Sequence, residues 1–211
     1  MNWNGKIHDI SMEISESMMV YKNRQKNRPS IKVTRDFDSG AAYETTMTIG
    51  MHTGTHLDMP LHMIEGGRTL DDLNLNQVIT PCRVLDFSEV VEEIDDSMLQ
   101  SRNIQKDEFV LLKTRNSDSD DFDFSFVYLT ASGASHLKEK KVKGIGIDAL
   151  SVERSQPGHQ THGILLNSGI LIIEGLRLKH IPEGNYFLIA APLKIKGAEA
   201  SPLRALLLEQ E

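Results

Sequence analysis

Residues 52–62 read His-Thr-Gly-Thr-His-Leu-Asp-Met-Pro-Leu-His, the pattern H-x-x-x-H-x-D-x-x-x-H. Side chains of an extended backbone alternate between two faces, so these even spacings would turn His52, His56, Asp58 and His62 into one cavity. A helix would also bring His52 and His56 together, one turn apart. Gly54, the β-branched Thr53 and Thr55, and Pro60 oppose it. The segment is therefore expected to be a strand end running into a tight loop.

Imidazole nitrogen and carboxylate oxygen suit zinc, manganese or iron(II), and two histidines with one carboxylate leave coordination positions open for water. An open position points to catalysis. His62 reads as a further ligand or as a proton carrier beside the metal, since a free imidazole titrates near neutrality. The second role is preferred. Three histidines and an aspartate within eleven residues, in a chain with eight histidines, argue against unconnected surface groups.

Working outward, 211 residues suffice for one large domain with a substantial core, and residues 1–211 are taken as a single domain. Charged residues at 25% and hydrophobic ones at 39% are ordinary for a soluble globular chain. A net charge of −7 argues against nucleic acid as a partner. The basic run Lys22–Arg28 is read as a solvated loop, within a polar stretch from Ser15 to Pro29 that approaches the cavity. Cys82, the single cysteine, is expected to be a buried structural thiol. With no apolar run for a secretion signal near the N-terminus and no membrane-spanning stretch, the expected location is cytoplasmic.

Lys6–Ser11 reads as an opening strand whose Ile7 and Ile10 imply burial on both faces or a bulge. Ile31–Phe37 and Tyr43–Met51 read as two strands joined at Asp38-Ser39-Gly40. Thr69 caps a brief helix. Arg83–Phe87 and Glu108–Lys113 are strands, separated by an acidic stretch, Glu89–Asp96, assigned to the solvated surface. Asn116–Asp123 is rich in aspartate but lacks the Gly and the final Glu of a calcium loop, so it is an exposed loop. Thr130 caps a helix over Ala131–Lys140, and Val142–Ile147 follows as a buried strand. A helix feeding a strand makes the fold mixed rather than purely β. Gly169–Glu174 is a dense apolar strand closed by an acid, which either meets a bound cation or emerges into water. Tyr186–Pro192 and Leu193–Lys196 are the last strands, after a Gly184-Asn185 turn, and Ala198–Glu211 is a tail of unassigned shape.

Together these residues resemble the metal-dependent cyclase family, with its bacterial kynurenine formamidase and isatin hydrolase branches. The family's H-x-G-T-H-x-D-x-P-x-H is matched by His52, Gly54, Thr55, His56, Asp58, Pro60 and His62. His8-Asp9-Ile10-Ser11, Gly146–Val152 and Ile172-Ile173-Glu174-Gly175-Leu176 extend the likeness over nearly the whole chain. It implies an α/β fold with a central mixed sheet or barrel-like, swivelling β/β/α core and peripheral helices. It also implies two divalent ions, zinc first and manganese second. His52, His56 and Asp58 would hold one ion, and Asp58 would bridge to another held by His162 and Glu174. His162, rather than His159, keeps the family's twelve-residue spacing to the acid, and the family's catalytic histidine falls on His62.

The function so implied is hydrolysis of a non-peptide carbon–nitrogen bond in a small amide, an aryl formamide such as N-formylkynurenine, by water that the ions activate. Ring opening of a cyclic amide such as isatin is the enzymatic alternative. A metal- or small-ligand-binding protein without turnover is the alternative of another class. A homodimer is implied by analogy. One departure stands out: where formamidases of the family carry an aromatic-Pro-Gly segment, this chain has Met19-Val20-Tyr21-Lys22-Asn23 and a longer basic loop.

Overall fold

The structure, a computed structural model, describes residues 5–209. Residues 1–4, part of the stretch read for a secretion signal, and residues 210–211 of the tail lie outside them. Among the described residues no helix is long and apolar enough to cross a membrane.

One mixed sheet of nine strands organises the chain. Its centre is four parallel strands: β5 (Ile79–Asp86), β7 (Phe109–Lys113), β9 (Gly144–Ile147) and β10 (Leu171–Glu174). Beside β5 run, antiparallel and in order, β11 (Gly184–Ile189), β13 (Leu206–Glu209) and the edge strand β1 (Ile7–Asp9). Beside β10 run β4 (His56–Asp58) and β12 (Ala200–Pro202), again antiparallel. The parallel crossovers carry the helices α1 (Asp96–Gln100), α2 (Ala131–Lys140) and α3 (Gln160–Asn167), and a small parallel pair, β6 (Glu93–Ile94) with β8 (Tyr128–Leu129). Parallel strands need such long connections, and the helices cover the sheet they return to.

The period-two alternation of strand side chains separates two apolar layers. Val110, Leu112, Ile145 and Ile172 pack with Ala134 and Leu137 of α2 and Leu165 and Leu166 of α3. Phe109, Leu111 and Ile173 point the other way, and there Leu57 of β4 meets Leu207 of β13, although the two strands stand near opposite ends of the sheet order. A sheet whose two ends share one core has curled on itself, which removes the need for helices on that face. Gly144 makes room inside the curl: a Cβ there would lie 2.2 Å from the Phe109 ring.

The helix over Ala131–Lys140 lies where expected, with the Thr130 hydroxyl accepting from the Gly133 N–H and Lys141 left-handed at its C-terminal end. Four expectations are corrected. Ile7 is 55% exposed, because β1 is an edge strand with one covered face, so neither two-sided burial nor a bulge is present. The acidic stretch Glu89–Asp96 is not wholly solvated: Ile94 is buried and β6 pairs with β8, hidden in the sequence by its acidic neighbours. Gly184 and Asn185 pair within β11 instead of turning, and Leu193–Lys196 is not a strand. The last two sheet strands lie instead in the segment read as a tail, where β12 and β13 gain their partners from β4, β11 and β1.

Asp148, at the end of β9, ties the sheet's C-terminal edge together. Fully buried, it accepts from the Thr114 N–H and hydroxyl at 2.9 and 2.7 Å and from the Ser117 hydroxyl at 2.8 Å. Burial raises its pKa, the three donors pull back, and the result is about 6 against an ordinary 3.8. A carboxyl whose folded pKa is raised binds a proton in the native state at pH values where the unfolded chain has lost it, so its contribution to stability falls as pH rises. Measured by urea unfolding, the stability advantage of the wild type over Asp148→Asn is expected to shrink by on the order of 2–3 kcal/mol between pH 4 and pH 6 and to level off above.

Candidate metal centre

The strand expected through the histidine motif is only three residues long. His56, Leu57 and Asp58 form β4, with His56 paired to Glu174 and Asp58 to Ile172 of β10. His52 arrives on a turn before the strand, and His62 on a 3-10 turn, Pro60–His62, after it. Even spacing thus predicts the convergence correctly but through the wrong backbone, since Gly54 at φ +65° and Pro60 break the extended run on either side.

The motif's Gly and Thr have structural work. The Thr55 hydroxyl donates to the Gly175 carbonyl at 2.6 Å and accepts from the Met12 N–H at 2.7 Å, joining the motif to the end of β10 and to the chain after β1. Gly175, at φ +70°, comes so close that a Cβ would lie 2.3 Å from the Gly54 oxygen. These contacts hold Glu174 against β4.

All six residues marked in the sequence converge. The His52 Nδ1 lies 2.9 Å from the Asp58 Oδ1, and the His56 Nε2 lies 3.5 Å from the same oxygen and 3.4 Å from the Glu174 Oε2. The His162 Nε2, on α3, is 3.2 Å from the Glu174 Oε1 and 3.8 Å from the Asp58 Oδ2. The His62 ring centroid lies 4.0 Å from that of His52, the rings tilted, and 5.7 Å from that of His162, edge-on. Ligand atoms of His52, His56 and Asp58 lie within 4.8 Å of one another, and so do those of Asp58, His62 and His162. His62 therefore belongs to a group that could hold an ion, as well as standing beside His52.

Asp58 is 0% exposed, yet neither of its oxygens has a hydrogen-bond partner, and the same holds for the His56 Nε2. The His56 Nδ1 is engaged with the Gly54 carbonyl at 2.8 Å, which leaves Nε2 aimed at two carboxylates, where it could ligate a cation once deprotonated. A buried carboxylate without partners costs several kcal/mol, and a cation among these atoms would satisfy all of them at once. The donor set fits a divalent ion. Glu174 sits where the strand-end reading allowed either burial or water, and it is 4% exposed, with its Oε1 accepting from the Val152 N–H at 2.6 Å.

Without a cation, the surrounding acids favour the protonated form of two of the imidazoles. Burial alone would lower the His56 imidazole, but Glu174 and Asp58 outweigh it and hold its pKa up at about 9. His162 is likewise held at about 10 against burial by Glu153 and Glu174. Burial would raise Glu174, and His162 and His56 together depress it well below the carboxylate range. His62 differs: burial lowers it, with the neighbouring His52 and His162 reinforcing the fall against the pull of Asp58, so it is neutral at pH 7. A neutral imidazole at this position can accept a proton.

Sequence reasoning missed two acids. Glu153, 3% exposed, accepts from the Thr161 and His162 N–H groups and stands 3.2 Å from the His162 Nδ1, with His159 hydrogen-bonded to it as well. It orients His162 from behind, as carboxylates do for metal-binding histidines. Glu199 lies 3.5 Å from the His52 Nε2. Both stand in polar stretches where an acid looks solvated, and no spacing signals them. The basic run Lys22–Arg28, assigned to solvent, lines the same cavity of about 560 Å³ as His52, His62, His162 and Glu174. Cys82 is buried as expected, its thiol pushed up to about 12 by burial and then by Glu108.

A family model described as "Putative cyclase" matches residues 8–154. The chain is 33% identical over 202 residues to a kynurenine formamidase of Salinibacter ruber, covering 94% of this chain and 95% of the relative. A solved structure titled a "predicted metal-dependent hydrolase" from Bacillus stearothermophilus superposes with a TM-score of 0.90 at 43% identity, covering 97% and 98% of the two chains. Isatin hydrolase A from Ralstonia solanacearum superposes with a TM-score of 0.87 at 25% identity, covering 98% and 93%.

Thr55→Val keeps the shape of the motif but leaves the Met12 N–H and the Gly175 carbonyl unpaired. A loss of about 2–4 kcal/mol in urea unfolding is expected, with most of it restored by Thr55→Ser.

Proposed function

The chain belongs to the cyclase family, and from that premise we propose that it is a metal-dependent amidohydrolase that cleaves the carbon–nitrogen bond of an aryl formamide, N-formylkynurenine being the leading candidate. The observation that carries this reading is the buried, hydrogen-bond-free carboxylate of Asp58, gathered with His56 against a cavity wall that His52, His62, His162 and Glu174 line. In this reading His52, His56 and Asp58 hold one divalent ion, Asp58 with His162 and Glu174 holds a second, and zinc suits the donors best, with manganese next. Residues 1–211 act as one domain.

Bound ions would supply Lewis acidity, polarising the amide carbonyl and lowering the pKa of water from 15.7 to about 7. His62, neutral and half-buried, takes up the proton released by water and returns it to the departing nitrogen, which must leave as an amine. Glu153, 3.2 Å from the His162 Nδ1, would favour the tautomer that leaves Nε2 free to hold an ion. A cyclic amide such as isatin is the second reading, favoured by the likeness to isatin hydrolase A. The buried single thiol suits a reducing, cytoplasmic setting.

A homodimer is part of the same proposal. The hairpin of β2 (Ser30–Arg35) and β3 (Glu44–Thr48) forms its own two-stranded sheet, with Ile31 opposite Met47 and Val33 two residues on, all exposed on one face. Two strands without a covered face are marginal in water, and a second copy would cover them.

His62→Ala is expected to lower kcat by a factor of about 10²–10⁴ on N-formylkynurenine while metal content, measured by elemental analysis, is retained. Loss of one ion instead would make His62 a ligand, and hydrolysis of isatin but not of N-formylkynurenine would favour the second reading. Chelation should abolish turnover of either compound, and added zinc should restore it. By light scattering the wild type is expected to be a dimer and the Val33→Asp, Met47→Asp variant a monomer.

A further inference from the structure

We propose that Lys22 and Lys26 form an anion-binding subsite in the cavity of the histidine cluster, so that the preferred amide carries a carboxylate on its aryl body. The inference rests on the amidohydrolase reading for the word amide, and on the loop alone for the charge.

The loop is fixed in place. The Arg28 guanidinium donates to the Glu16 and Met18 carbonyls at 3.3 and 3.0 Å, which commits that cation to the backbone. Val20 is buried, and the Tyr21 ring packs edge-on against Phe122 at 5.5 Å. Between these anchors Lys22 and Asn23 both adopt the left-handed conformation, at φ +57° and +52°, with the Asn23 N–H donating to the Val20 carbonyl at 2.8 Å. Two successive non-glycine residues at positive φ are costly, and such strain persists where the surroundings impose it. The bend brings Lys22 to the cavity lining, its ammonium 5.1 Å from the Tyr21 ring centroid, and Lys26 lines the cavity four residues on.

Among the described residues no carboxylate lies within 4.0 Å of Lys22 or Lys26, in a chain with 30 acids and 23 bases. The acids that share the cavity, Glu153 and Glu174, are engaged with His159, His162 and His56. Met51, Met63 and Leu150 also line it, apolar surface suited to a ring. At about 560 Å³ the space suits a molecule bearing one aromatic ring with its substituents. A substrate with its amide at the histidines and a carboxylate at the lysines would use both ends of it. The ammonium–carboxylate contacts would be charge-assisted but partly screened, because both lysines are exposed.

The test compares 4-formamidophenylacetate with its neutral counterpart, N-formyl-p-toluidine, on the metal-loaded protein. The ratio of kcat/KM for the anionic over the neutral amide is expected to fall about tenfold in the Lys22→Met, Lys26→Met variant, chiefly through KM. It should fall with added salt in the wild type and be retained in Lys22→Arg, Lys26→Arg. An unchanged ratio, or equal losses on both amides, would overturn the subsite. Should the wild type hydrolyse neither compound, the amidohydrolase reading fails on its own. Calorimetric binding of phenylacetate then decides the subsite: tighter binding to the wild type than to the double Met variant supports it, and equal or undetectable binding to both overturns it.

Discussion

A carboxylate shut away from water with no hydrogen bond to either oxygen is the constraint around which this molecule is arranged. Asp58 lies on the three-residue strand β4, between β10 and β12, with no exposure at all. Alone, such a group would lose its charge or unfold its surroundings. Three imidazoles and a second acid instead turn their nitrogens and oxygens toward the same small volume, without hydrogen-bond geometry to Asp58 itself. Groups that face a common point more closely than they bond to one another are arranged as ligands are.

That convergence depends on a few backbone details some distance from the charges. Pairing of β10 with β4 places Glu174 opposite His56, while the Thr55 hydroxyl and the side-chain-free Gly175 let the motif's turn lie directly on the strand end. His162 is brought in by α3, whose first turn is held by Glu153. The curl of the sheet matters as well, because it supplies a core on both faces of the central strands and so frees their C-terminal ends for polar residues. Binding at the C-terminal ends of parallel strands is a general property of open α/β sheets.

The cavity has two characters. One part is histidine and acid, the other a strained basic loop next to the exposed hairpin β2–β3. In the proposed function the first would set which bond is attacked and the second which molecule is held. Their separation in the sequence, residues 20–28 against 52–62 and 150–174, means that substrate preference can change without disturbing the metal-binding groups.

The sequence by itself determined the chemistry. Residue types with side chains fit for a metal, crowded into His52–His62, were legible because their even spacing suits one face and Gly54, Thr53, Thr55 and Pro60 oppose a helix, and the Thr130-capped helix and the apolar runs of β7, β9 and β10 were legible because period and capping are local. What only the tertiary structure decided was everything set by distant partners. β12 and β13 exist because β4, β11 and β1 lend them hydrogen bonds, Ile94 is buried because β8 pairs beside it, and Glu153 and Asp148 are interior because strands close over them. A polar or acidic residue carries no local mark of burial, since its environment is made by residues tens of positions away. The basic loop is solvated as read, with Lys22 and Lys26 both exposed, and only folding put them at the wall of the cavity.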